Sequence, residues 1–240
     1  MNRYWDDELY SQPTASELKR KADASRINAE KKGAVLEPVV IRGRRIANSW
    51  WGQAWCDNLE RYADFESRLG RGKRYVKTGA VIDLKIGKGR IQARVQGSRK
   101  TPYKIDIRIS PLSEECCQEI LRKCGQRVEN LEKLLAGDFP AEMKELFTEQ
   151  GGLFPSPREI SFSCSCPDWA LMCKHVAAAL YGIGARLDED PSLFFELRGI
   201  EVGRFIDVAI ANKVEVMLKN VGNKSARIIR DEEILELFGV

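Results

Sequence analysis

The chain has 240 residues, of which 43% are hydrophobic and 31% charged, and its formal net charge is +4. This composition is typical of a globular protein with one large or two small domains, and it shows no collagen-like or low-complexity bias. The N-terminus lacks a signal-peptide core and no run approaches the roughly 18 apolar residues of a membrane helix, so a cytoplasmic location is expected. Seven cysteines, an odd number, fit a reducing compartment better than a disulfide framework.

Two helices are predicted in the first quarter of the chain. Residues 14–32 are rich in charge and poor in apolar side chains, which predicts a polar helix that acts as a mobile arm or binds a partner. Trp50, Trp51 and Trp55 begin a second helix. These indoles could stack on nucleic-acid bases, but Trp51 and Trp55 are four residues apart and are predicted more simply to fill the core.

Basic charge is concentrated in one segment of the chain. Residues 61–110 carry 14 Lys and Arg against 4 Asp and Glu, a net charge of +10, whereas residues 111–160 have a net charge of −4. A concentrated basic surface attracts polyanions because their counterions are released on binding. Residues 61–110 are therefore the candidate segment for phosphate contacts.

The start of this segment contains a basic run with two glycines, residues 68–75. The glycines predict a flexible loop whose amides and cations touch nucleic-acid phosphates, and a solvated connector is the alternative. Nucleotide hydrolysis is not expected, because the run lacks the full spacing of a P-loop and no Ser or Thr follows its lysine. Its candidate phosphate-binding residues are Arg68, Arg71, Lys73 and Arg74.

Alternating apolar and polar residues between 81 and 109 predict a three-stranded antiparallel meander. Its solvent face is expected to gather cations, diluted by Asp83 and Asp106, and an ordinary solvated sheet face is the alternative. The candidate nucleic-acid-binding residues are Lys85, Arg94, Lys104 and Arg108 on this face, with Gln96 beside them and Arg99 and Lys100 at one tip.

The remaining patterns are mostly helical. Residues 112–147 predict two or three helices with an acidic surface that cover the sheet. Further helical patterns extend from about 201 to 220 and from 231 to 238, although 214–218 could equally form a strand.

The most informative motif is a Cys-x-Cys pair followed, after six residues, by a Cys-x-His pair. Its members are Cys164, Cys166, Cys173 and His175, the only histidine. Three thiolates and one imidazole are preferred ligands of tetrahedral zinc, and four protein ligands leave no position for water or substrate. The motif therefore predicts one structural zinc ion, with buried or disulfide-bonded cysteines as the alternative.

The spacing of the motif predicts a strand, a turn and a helix around the ion. Alternate residues of a strand point to one face, so Cys164 and Cys166 can reach the same metal. An alanine-rich run with helical spacing then places Cys173 and His175 at the start of a helix. Because such a small unit buries little apolar surface, metal binding is expected to supply about 10 kcal/mol or more of its folding free energy. Loss of any ligand is expected to unfold it locally.

The two ligand pairs resemble the SWIM zinc finger. The segments WWGQAW, RLGRGKRY, VQGSRKTPY and LDEDPSLFFELRG also resemble a family of compact prokaryotic SWIM proteins, and the resemblance covers about residues 36–200. It implies an association with Swi/Snf-type helicase ATPases and binding to DNA or other proteins. Ala170, Leu171 and Met172 are more apolar than the corresponding turn of the family, which makes them a candidate docking patch.

These patterns predict an α+β fold in which an antiparallel β-meander is covered by helices, with a zinc-stabilised strand-turn-helix module and a helical C-terminal region. The predicted divisions are an N-terminal arm at 1–35, the tryptophan helix, meander and acidic helices at 36–158, the zinc module at 159–200 and the C-terminal region at 201–240. Because the lone histidine is assigned to the metal and no carboxylate pair stands out, catalysis is not expected. The two remaining hypotheses are nucleic-acid binding, with DNA the expected polymer, and a protein adaptor role beside a helicase-type ATPase.

Overall fold

The computed structural model describes residues 13–61, 63–64, 66–125, 144–148 and 151–201, with single positions between 203 and 218. Its helices are α1 (Ala15–Lys31), α2 (Trp50–Glu60), α3 (Glu66–Lys77), α4 (Glu114–Gly125), α5 (Lys144–Thr148), α6 (Lys174–Glu189) and α7 (Leu193–Leu197). Its strands are β1 (Val81–Gly87), β2 (Arg90–Val95), β3 (Tyr103–Ile109) and β4 (Ile160–Cys164). The predicted α+β class is confirmed. None of the helices described is both long and apolar enough to cross a membrane.

The predicted meander is confirmed, and a fourth strand extends it. Strands β1, β2 and β3 pair antiparallel in chain order, and β4 pairs antiparallel with the free side of β3. Along β3 the apolar residues are buried and the polar residues between them are more accessible, as the two-residue period of a strand requires. Because Ile105 lies opposite Cys164, the sheet brings the first ligand pair beside the start of β3.

Helix α6 forms the centre of the core. Its residues 175–185 are all buried, and it contacts α2, α3 and all four strands. A helix that is buried on every side carries small and apolar residues all round, which explains its alanine-rich sequence. The segment 159–200, predicted as a module of its own, therefore shares one sheet and one core with the rest of the described chain.

The basic run at 68–75 lies within helix α3, so its prediction as a flexible loop was wrong. Leu69, Tyr75 and Val76 are buried on one side of this helix. Gly72 faces Ala177 of α6, and a Cβ atom added at Gly72 would lie only 2.6 Å from the Ala177 Cβ. This glycine allows two helices to approach closely, a contact that spacing along the chain cannot reveal.

Trp55 of α2 is buried in the core, as predicted, and Trp50 and Trp51 are partly buried and pack against it. The Trp55 indole Nε1 donates to the Leu180 carbonyl at 3.1 Å, and the Trp51 indole Nε1 donates to the Leu187 carbonyl at 3.0 Å. The Trp50 ring packs edge-on against Phe147, with 5.3 Å between ring centroids. These contacts fix α2 against α6.

The predicted N-terminal helix is confirmed as α1, and it lies against the body of the protein. Leu18 and Ala22 are buried. The Ser25 hydroxyl donates to Gln96 Oε1 at 2.7 Å, and Lys21 Nζ donates to the Ser98 carbonyl at 2.9 Å. These contacts argue against a mobile arm.

The helices predicted within 112–147 are represented by α4 and α5. The single positions described between 203 and 218 are helical, including those at 214–218, where a strand was the alternative. The helix predicted at 231–238 lies outside the described residues.

Candidate metal centre and basic face

The four predicted ligands converge at one end of the sheet. Their ligand atoms lie within 4.8 Å of one another. The Nδ1 atom of His175 is 4.0 Å from Cys164 Sγ and 3.9 Å from Cys173 Sγ. Tetrahedral zinc, with Zn–S distances of about 2.3 Å, holds neighbouring ligand atoms roughly 3.6 to 3.8 Å apart. The cluster could therefore hold one metal ion, and its donor atoms are compatible with zinc.

Local backbone structure places these ligands. The Ser165 amide donates to the Lys104 carbonyl and the Lys104 amide donates to the Ser165 hydroxyl, both at 3.0 Å, which continues the pairing of β4 past its end. The residues on either side of Ser165 are Cys164 and Cys166, so both thiols lie on the inner side. Cys173 is the N-cap residue of α6, which agrees with the predicted helix start.

The surroundings of His175 favour its role as a ligand. The Tyr103 ring stacks on the imidazole with 4.1 Å between centroids, and the Tyr75 ring meets it edge-on at 5.5 Å. Burial lowers the pKa of His175, which favours the neutral imidazole that binds metals. A hydrogen bond from the Cys164 thiol lowers the pKa of Cys173 to about 4, which favours the thiolate. Two of the four groups thus favour the protonation state that a metal requires.

Two carboxylates fix the loop between the ligand pairs, residues 167–172. Backbone amides of residues 170–172 donate to Asp64 and Asp168 at distances between 2.9 and 3.4 Å. Asp168 also forms an ion pair with Arg68 at 3.2 Å. The conformation of this metal loop therefore depends on α3 and on the turn before it.

The predicted docking patch in the metal loop was wrong at two of its three positions. Ala170 is 9% exposed and Met172 is 0% exposed, so neither side chain is available to a partner. Leu171 is 68% exposed, and Trp169, which the sequence analysis did not select, is 83% exposed. The loop has no regular period, so the sequence could not show which apolar side chains face solvent. A signal for Trp169 was its position just after the Pro-Asp turn, outside the predicted strand and helix.

The outer face of the sheet, opposite α6, carries five exposed cations that we call the basic face. Its members are Lys85, Arg90, Arg94, Lys104 and Arg108. Cross-strand pairing places Arg94 opposite Lys104 and Arg90 opposite Arg108. Arg90 was missed, although it lies four residues before Arg94, an even spacing that places both on the same face of a strand.

Two aspartates balance part of this charge. Asp106 pairs with Arg90 at 2.6 Å and with Arg108 at 3.2 Å, and Asp83 pairs with Arg94 at 3.5 Å. Lys85 and Lys104 form no ion pair with a described residue. The basic face thus keeps an excess of three positive charges.

The edge strand adds hydroxyl groups next to these cations. Ser161, Ser163 and Ser165 are exposed at alternate positions, with Ser161 opposite Arg108. These serines could not be predicted, because the sequence of the meander does not show that β4 joins it. Gln96, predicted on this face, is instead buried, because β2 ends at Val95 and the alternation stops there.

The cations of α3 lie on a helix that packs mainly on α6. Arg68 is engaged with Asp168, and Lys73 forms an ion pair with Glu60 at 2.6 Å. Two of the four predicted phosphate-binding residues of this run are thus paired with carboxylates. Arg99 and Lys100 are exposed beyond β2, at the metal end of the sheet.

Comparisons with known proteins identify one relative without a described activity. No family model matches the chain, and no solved structure does. A Mycobacterium tuberculosis protein named "Uncharacterized protein Rv2102" is 38% identical over 158 residues, which cover 65% of this chain and 57% of that protein. The chain thus matches little more than half the length of this curated relative, and the SWIM resemblance rests on the motifs alone.

Proposed function

We propose that this chain is a non-catalytic, SWIM-type zinc protein that binds nucleic acid through the basic face, with DNA as the expected polymer. The observation that carries the proposal is the gathering of five exposed cations and a row of serines on one face of the sheet. Lysine, arginine and serine side chains are common partners of phosphate oxygens. A flat surface of this kind suits a polyanionic backbone better than a small ligand.

The metal in this proposal is structural. Three sulfurs and one nitrogen from the chain would complete a tetrahedral zinc site, which leaves no coordination position for a reacting water. Cys164 and Cys166 would hold the end of β4, while Cys173 and His175 would hold the start of α6. The ion would thereby keep the edge strand and its serines in register with the cations of β3.

The basic face also contains a shallow depression suited to a phosphate group. It has a volume of about 300 Å³, and its lining includes Lys85, Arg94 and Lys104. Asp83 also lines it, so an incoming phosphate would compete for the Arg94 guanidinium. Contacts to phosphates carry no sequence information, so weak sequence preference is expected.

The test is binding of the zinc-loaded full chain to labelled DNA and RNA across a salt series. A triple variant, Lys85→Gln, Arg94→Gln and Lys104→Gln, removes three cations from the basic face. If each contacts a phosphate, the slope of log affinity against log salt should fall by about 3 for duplex DNA. The matched control is Arg20→Gln, Lys77→Gln and Lys144→Gln, which makes the same charge change on exposed helical positions.

If the two triple variants lose nucleic-acid affinity equally, net charge rather than the basic face drives binding. Absence of wild-type binding tighter than about 100 μM at low salt, weaker than ordinary non-specific contact, would contradict the proposal itself.

A further inference from the structure

The metal loop displays one large aromatic side chain that the packing of the protein does not use as core. Trp169 is 83% exposed, whereas Trp55 is fully buried. Amides of residues 170–172, which follow Trp169 directly, are held by Asp64 and Asp168. The indole is therefore presented to solvent from a fixed backbone, which lowers the ordering cost of a contact with a ligand.

This side chain lies close to one end of the basic face. Ser165 forms two hydrogen bonds with the backbone of Lys104, one through its amide and one through its hydroxyl. Trp169 follows Ser165 by four residues. Four residues span at most about 14 Å, a length covered by about four stacked nucleotides at 3.4 Å each. A strand bound at Lys104 can thus reach the indole without leaving the protein surface.

Charge and shape at this end favour a nucleic-acid strand as the occupant. Arg99 and Lys100 are exposed in the loop that leads into β3, and the Arg99 guanidinium lies 5.3 Å from the centre of the Tyr103 ring. Leu171, 68% exposed, adds a second apolar group beside Trp169. A surface that combines an exposed aromatic ring with basic side chains is the arrangement by which proteins hold unpaired bases.

We propose that Trp169 stacks on an unpaired base of a single-stranded nucleic acid whose phosphates lie along the basic face. This inference rests on the proposed function and adds the class of polymer. In a duplex the bases are already stacked on each other and are not available to an indole, whereas each base of a single strand offers an open face. The basic face then supplies affinity for either polymer, and Trp169 supplies preference for the single strand.

The experiment compares the zinc-loaded full chain with Trp169→Ala and Trp169→Phe on two probes, a short oligothymidylate and a blunt-ended duplex. Alanine should weaken binding to the single strand by about 5- to 150-fold, the range expected for loss of one stacked base. Trp169→Phe should retain most of the wild-type affinity for the single strand. The affinity for the duplex should change little in both variants. Metal content and circular dichroism establish that each variant is folded and loaded.

The outcomes separate this inference from the proposed function. If Trp169→Ala binds both probes like the wild type while the triple variant of the basic face loses both, the stacking role is wrong and the nucleic-acid function stands. If Trp169→Ala retains wild-type binding of both probes, Trp169 and Leu171 would instead be assigned to a surface for a protein partner. If the wild-type chain binds neither probe, the proposed function and this inference both fail.

Discussion

At the scale of single residues, Asp106 limits the positive charge of the basic face. It accepts hydrogen bonds from Arg90 at 2.6 Å and Arg108 at 3.2 Å. The hydrogen bond from Arg90, helped by Arg108, lowers the pKa of Asp106. The carboxylate therefore stays charged at neutral pH and competes with phosphates for both guanidinium groups.

Asp106→Asn should strengthen nucleic-acid binding, because it releases two arginines and adds one net positive charge to the face. The expected gain is about 3- to 10-fold at low salt, and a fluorescence anisotropy titration measures it. Glu30→Gln, the same charge change on α1, is the control and should gain less. Unchanged or weaker binding by Asp106→Asn would show that the ligand does not occupy this part of the sheet.

The pKa shift of Asp106 gives the pH dependence a definite sign. Because the folded-state pKa is lowered, the ion pairs stabilise the fold above the ordinary carboxyl pKa, and this is lost as pH falls through the lowered value. The effect on stability is small, since the arginine partners are exposed to solvent. Urea unfolding of the wild type and of Asp106→Asn across this acidic range measures the contribution of Asp106, which the variant should lack.

At the scale of elements, the contact between α3 and α6 connects the basic run to the core. A Cβ atom at Gly72 would meet the Ala177 Cβ at 2.6 Å and the backbone of Ala177 and Ala178 at 3.1 Å. Backbone atoms cannot move aside as a flexible side chain can. The two helices would have to separate, which would disturb the loop that Arg68 helps to fix through Asp168.

Gly72→Ala should therefore lower the free energy of unfolding by about 1–3 kcal/mol, although alanine has the higher helix propensity. Gly70→Ala in the same helix is the matched control, because a Cβ there meets nothing within 4 Å. It should raise stability by about 0.5–1 kcal/mol. Urea unfolding measures both changes, and a stabilising effect of both substitutions would disprove the close helix contact.

At the scale of the whole molecule, the candidate metal site lies where the sheet and the central helix meet. Strand β4 pairs with β3, and α6 contacts every strand. The candidate ligands therefore connect parts of one core. Loss of a ligand is expected to destabilise the whole core. This arrangement changes the expectation from the sequence, where loss of a ligand was predicted to unfold a small module locally.

Cys173→Ser should release the metal and lower the free energy of unfolding by about 4 kcal/mol or more, as loss of a structural ion does. Calorimetry should show one transition in both the wild type and the variant, shifted to lower temperature in the variant. Cys116→Ser is the control, because its thiol lies outside the cluster, and it should retain the metal. Two separate transitions, only one of them sensitive to Cys173, would instead establish an independent module.

The sequence by itself determined the features that depend on local periodicity and on donor chemistry. Alternation of apolar residues was enough to predict the three strands of the meander, and the four-residue spacing of Trp51 and Trp55 agreed with the predicted tryptophan helix. The four candidate ligands could be selected because cysteine and histidine at that spacing have few other uses. In each case, the information lies within about 30 residues of chain.

Only the tertiary structure decided the features that depend on contacts between distant segments. The partner of β4, the fit of Gly72 against Ala177, and the carboxylates that expose Trp169 while burying Met172 all join residues far apart in the sequence. A glycine in a basic run has the same local signature whether it bends a loop or admits a neighbouring helix. The choice is made by packing, because the free energy of each contact depends on which distant side chain is there to meet it.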